Sequence, residues 1–112
     1  MSLERVFKVL VSLGLSEPDA RIYMYLALRG PKKPNDVVNN LKINQQQILQ
    51  SLKNLQNKDI IFTDKKNKKL FSALSFEKTL KLLIKTQNEQ TTILQENLLS
   101  NWKDMMQNNS KT

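Results

Sequence analysis

The chain has 112 residues, room for one modest core and an appendage but not for a second full domain. It contains no cysteine and no histidine, which removes disulfides, thiolate metal sites and the commonest general base, so no enzyme activity, metal or cofactor is expected. Its net charge of +8 is unevenly placed: residues 29–85 hold 13 basic and 4 acidic side chains, the remainder 5 and 6. A basic excess confined to one segment is the footprint of a nucleic-acid binder, a lysine-rich soluble surface being the plainer alternative. No apolar run approaches the roughly 18 residues of a membrane span, and MSLERVFKVL does not build a signal-peptide core. A cytoplasmic, nucleoid-associated chain with no membrane partner is expected.

Val6, Phe7, Val9, Leu10 and Leu13 recur at helical spacing and Gly14 stops them, predicting a first helix over 2–13. Ser16 then reads as an N-cap, with Glu17, Pro18 and Asp19 in the first turn where acids oppose the helix dipole and proline needs no N–H. Ile22, Tyr23, Tyr25, Leu26 and Leu28 follow in this second helix, which Gly30-Pro31 ends, with Tyr23 and Tyr25 read as core and helix-packing residues. Pro34 opens a short third helix with Val37, Val38 and Leu41 on its buried face.

Lys42-Ile43 makes a turn, and Asn44 with Gln47 approximates a capping box for a helix over 45–57. Ile48, Leu52 and Leu55 fall at i, i+4, i+7 and face the core, so Gln45, Gln46, Leu49, Gln50, Lys53 and Asn54 occupy the opposite face. Asparagine and glutamine amides can pair with adenine N6 and N7, and Leu49 can touch a thymine methyl. Ordinary solvated helix positions are the alternative for the same residues. Ile60-Ile61-Phe62 and Leu70 to Leu74 predict a β-hairpin, with Lys65, Lys66, Lys68 and Lys69 around Asn67 at its tip. Those ammonium groups, with Lys32 and Lys33 before the third helix, are placed for phosphate, although a charged tip can also serve solubility alone.

Ser75 caps a last helix predicted to reach about Met106, some 48 Å long. Leu80, Leu83, Ile84, Leu94, Leu98, Trp102 and Met105 form its stripe, which predicts a dimer interface; folding back on its own domain is the alternative. The tail 107–112 is polar and expected to fray. The fold class is therefore mainly α with a small β-hairpin wing: a winged helix-turn-helix domain over 1–74, followed over 75–112 by a long dimerisation helix and its tail.

Leu13-Gly14-Leu15-Ser16-Glu17-Pro18-Asp19-Ala20-Arg21-Ile22-Tyr23, with Tyr25-Leu26, resembles the LGL-(T/S)-xx-EA-x-x-Y-x-x-L opening of the TrmB-like archaeal transcription regulators. The resemblance continues through Gly30, Pro31, Ile43, Ser51-Leu52-Lys53-Asn54-Leu55 and Phe71-Ser72-Ala73-Leu74, and covers most of residues 3–85. It implies a DNA-binding winged helix working as a homodimer. Three departures stand out. Sugar-sensing members carry a C-terminal effector domain, which a chain stopping at Thr112 is expected to lack, so no small-molecule ligand is carried over. Members place Arg or Lys early in the recognition helix and an aromatic residue near its middle, where Gln45, Gln47 and Leu49 stand here. The usual glycine after that helix is Asp59, which can still adopt a left-handed turn. Two further uses remain open at this level: a winged-helix protein-interaction module in a larger assembly, and a non-specific architectural DNA binder.

Overall fold

The computed structural model describes residues 2–110, which form five helices and one two-stranded sheet. α1 (Leu3–Ser12) starts where the Ser2 hydroxyl accepts from the Arg5 N–H at 3.2 Å, and the chain reverses at Gly14 with φ +109°. α2 (Glu17–Arg29) is capped in the same manner, the Ser16 hydroxyl accepting from the Asp19 N–H at 3.2 Å. α3 (Pro34–Leu41) ends in left-handed Lys42, φ 55°, and its terminal Leu41 carbonyl accepts from the Arg21 guanidinium at 3.3 Å. α4 (Gln45–Asn57) begins at Asn44, whose side-chain oxygen accepts from the Gln47 N–H at 2.8 Å. After it, Asp59 takes the left-handed turn with φ 62°.

β1 (Ile61–Thr63) and β2 (Phe71–Ala73) pair antiparallel with Phe62 opposite Ser72. A third edge comes from far upstream. Lys32 exchanges both backbone hydrogen bonds with Phe71, at 3.0 and 2.8 Å, so the segment before α3 is stitched to the wing. α5 (Phe76–Ser110) starts at Ser75, whose hydroxyl accepts from the Lys78 N–H at 3.3 Å. It runs past the predicted end at Met106; residues 107–110, expected to fray, continue the helix, and Lys111 and Thr112 lie outside the described residues.

The core gathers Leu10, Leu15, Ile22, Tyr23, Leu26, Val37, Ile48, Leu52, Leu55 and Ile60, all essentially inaccessible. Tyr23 crosses it: its hydroxyl donates to the Leu74 carbonyl at 2.7 Å and accepts from the Thr79 hydroxyl at 3.0 Å, joining α2 to the hairpin exit and to α5. Leu28 is 59% exposed, because the α2 residues facing the core are Ile22, Tyr23 and Leu26. Leu83, assigned to a dimer stripe, is 5% exposed and belongs to the domain's own core, with Leu80 half-buried beside it. From Asn88 to Asn108 every residue of α5 is exposed, and the molecule extends over 64 × 31 × 27 Å.

Candidate nucleic-acid interface

Burial of Ile48, Leu52 and Leu55 orients α4, and the face turned to solvent is the one bearing Gln45, Gln46, Leu49, Gln50 and Lys53, all exposed. Asn54, at the far end of the strip, is half-buried and borders a depression near Ser16, Asp19 and Lys58. Its side-chain oxygen accepts from the Gln50 amide at 2.9 Å, so two of the six strip residues are partly engaged with each other. The capping box is one-sided. Asn44 caps Gln47, but the Gln47 amide turns inward to donate to the buried Ser51 hydroxyl at 3.1 Å rather than back to Asn44.

Gln45 and Leu49 share a cleft with Lys33, Pro34, Asn35 and Lys69, which joins the start of α4, the start of α3 and the wing in one surface. Lys32 does not join them. Extended backbone sends successive side chains to opposite sides, and Lys32 borders a separate depression with Tyr25, Arg29, Asn40 and Leu41. The Lys32–Phe71 bridge explains how Lys33 comes level with the wing. This long-range pairing has no signal in local sequence, whereas Pro34 and Asn35 could have been included as the cap region of α3.

The wing tip has a built backbone. The Asp64 carboxylate accepts from the N–H groups of Lys66 at 2.7 Å and Asn67 at 3.4 Å, and the Asn67 side chain accepts from the Lys69 N–H at 3.0 Å. Asn67, grouped with the phosphate-contacting residues in the sequence, therefore has its side-chain oxygen committed to shaping the turn. Asp64 carries the same kind of job, and the short-range preference of aspartate for capping N–H groups two residues on is the signal that points to it. Lys65, Lys66, Lys68 and Lys69 are exposed. Among the described residues the ion pairs are Lys8–Glu4 and Lys81–Glu77, so the four wing ammonium groups are unpaired.

Among the described residues no group of three or more His, Cys, Asp or Glu side chains could hold a metal ion, and no helix is long and apolar enough to cross a membrane. Residues 80, 83, 84, 94, 98, 102 and 105 of the α5 stripe divide in two: Leu80 and Leu83 lie against the domain, while Ile84, Leu94, Leu98, Trp102 and Met105 are exposed.

A helical core, a second helix presenting its polar face beside a basic hairpin, and a long following helix define a winged helix-turn-helix protein. The chain belongs to the TrmB family: the family model described as sugar-specific transcriptional regulator TrmB matches residues 10–77. Among solved structures, the fold is similar to that of TrmBL2, an archaeal chromatin protein whose structure shows a novel mode of DNA binding. The TM-score is 0.80 at 17% identity, over 95% of this chain and 41% of that one, a likeness of fold. No curated protein matches the chain by sequence.

Proposed function

We propose that the chain is a homodimeric, double-stranded DNA-binding transcription regulator of the nucleoid, with α4 in the major groove and the wing on flanking phosphates. The observation that carries this reading is the shared surface of Gln45, Leu49, Lys33 and Lys69, flanked by unpaired wing lysines. A groove-sized helix face and free cations on one side of a rigid domain match base readout beside phosphate neutralisation. Gln45, Gln46, Leu49 and Gln50 then meet base edges, while Lys33, Lys53, Lys65, Lys66, Lys68 and Lys69 meet the backbone. Asn44 and Asn54 support the two ends of the helix, and Lys32 lies on the side of the domain next to Arg29. Membership of a regulator family and the similarity to a chromatin protein support the same direction.

A second reading, architectural binding without strong sequence preference, is favoured by the Gln50–Asn54 hydrogen bond and by the lack of arginine on the strip. Amides committed to each other read bases less, and phosphate contact then supplies a larger share of affinity. Selection of bound fragments from a random DNA pool at two salt concentrations tests the pair. An enriched motif with paired half-sites supports the regulator; uniform, salt-sensitive recovery supports the architectural role. Absence of DNA recovery at low salt contradicts both and leaves the protein-interaction module.

A further inference from the structure

Two faces of the same helix turn out to be one. At about 100° per residue, positions 11 apart return to within about 20° of each other, and Leu83, Leu94 and Met105 are spaced in this way. Leu98 lies within about 60° of them, and Trp102 about 100° from Leu83, at the edge of the same stripe. Leu83, with Thr79 and Phe76 on the same side, packs into the domain, whereas Leu94, Leu98 and Met105 further along are exposed. The domain therefore sits on the side of α5 that carries Leu94, Leu98 and Met105, with Trp102 turned partly away from it.

That placement decides how two copies can meet. Side by side and parallel, with their stripes in contact, both domains would lie at the same end and on the contacting side, and would occupy the same space. Side by side and antiparallel, the domains lie at opposite ends and each stripe meets the other's free half. We infer that a second copy of this chain covers α5 in antiparallel orientation, crossing near residue 99; the inference rests on the homodimer reading above.

The crossing point follows from the apolar span. The exposed apolar residues beyond the domain run from Ile93 to Met106, and matching this span to its own reverse centres the pair near 99. Leu94 of one copy then lies level with residues 102–105 of the other, so Trp102 and Met105 gain an aliphatic neighbour. Met106 comes level with residue 92, past the depression between the domain and α5, which reaches Gln90. The polar interruption at Gln87 and Thr91 falls at the edge of this span, outside the matched centre.

The chain has no cysteine, so single spin labels can be placed at will. Lys85 and Lys103 are both exposed, and 18 residues make five whole turns, so the two positions share one angular face of α5. Lys85→Cys and Lys103→Cys, each labelled and measured by pulsed dipolar spectroscopy, thus differ only in position along the axis. The antiparallel pair separates labels along the axis by about 42 Å at 85 and by about 12 Å at 103, at 1.5 Å per residue. A distance longer at 85 than at 103 by about 20 Å or more supports the inference. Equal distances at the two positions overturn the orientation and leave the homodimer standing. A monomeric mass with no dipolar coupling at either position removes the homodimer and the inference together.

Discussion

The Tyr23 hydroxyl donates to the Leu74 carbonyl at 2.7 Å, across 51 residues of sequence, and Thr79 of α5 donates to the same hydroxyl at 3.0 Å. This three-residue chain fixes the exit of the wing and the start of α5 to α2, the helix that also contacts α4. Tyr23→Phe leaves the fully buried Thr79 hydroxyl only its long 3.5 Å contact with the Leu74 carbonyl, and costs about 1–3 kcal/mol. The expected outcome is a melting temperature lower by several degrees, since about 1 kcal/mol corresponds to roughly 4–8 °C in a domain of this size. An unchanged melting curve would show that the chain of hydrogen bonds is replaced by water at no cost.

The same tyrosine sets an alkaline limit. Burial pushes its phenol above the ordinary 10.0, against the opposing effect of the hydrogen bond from Thr79. The folded state therefore favours the neutral form, so the stabilisation is fully present below pH 10.0 and is lost as pH rises through the folded-state value. Urea midpoints measured at about pH 9 and about pH 11 should fall more steeply for the wild type than for Tyr23→Phe. Parallel declines would place the alkaline sensitivity elsewhere.

Lys42 holds φ 55° at the end of α3 with no side-chain hydrogen bond, a conformation that costs a lysine about 1–2 kcal/mol. Lys42→Gly relieves that strain, while the greater conformational entropy of glycine in the unfolded chain offsets part of the benefit, for a net gain of about 0.5 kcal/mol. Gly30 is the opposite case: at φ 85° and ψ −173° it occupies a region open essentially to glycine alone, and Gly30→Ala should destabilise by about 1–3 kcal/mol. Chemical denaturation of both variants checks the two signs, and a destabilised Lys42→Gly would remove the strain argument.

How well each part can be read in advance follows the range of the interaction behind it. α4 is predicted at its observed bounds because its signals are local: Asn44 caps it, and Ile48, Leu52 and Leu55 repeat at helical spacing. Asp59 is expected to replace a glycine in the left-handed turn and does so. The Lys32–Phe71 bridge pairs residues 39 positions apart, and no local pattern announces it. Leu83 and Leu98 look alike in a stripe, and only the position of the domain separates the buried one from the exposed one. The candidate interface is visible in sequence as residue types, while its internal economy is not: Asn67 and Asp64 spend their oxygens on the wing turn, and Gln50 and Asn54 hold each other.

That division of α5 has its own test. Leu83→Ala removes a core side chain and should cost about 2–5 kcal/mol of stability. Leu98→Glu, 59% exposed in the single chain, should leave the fold intact and reduce the solution mass to the 13.0 kDa of one copy. A folded dimer of Leu98→Glu would mean that the distal stripe does not hold the two copies together.

DNA affinity measured against salt, for the wild type and for Lys65→Gln/Lys66→Gln/Lys68→Gln/Lys69→Gln, tests the central claim most directly. If a dimer neutralises about eight phosphates, log K against log salt has a slope near −7, and the variant's slope is flatter by about 0.9 for each phosphate it no longer neutralises. A wild-type affinity insensitive to salt, or a slope unchanged by the four substitutions, contradicts phosphate binding by the wing.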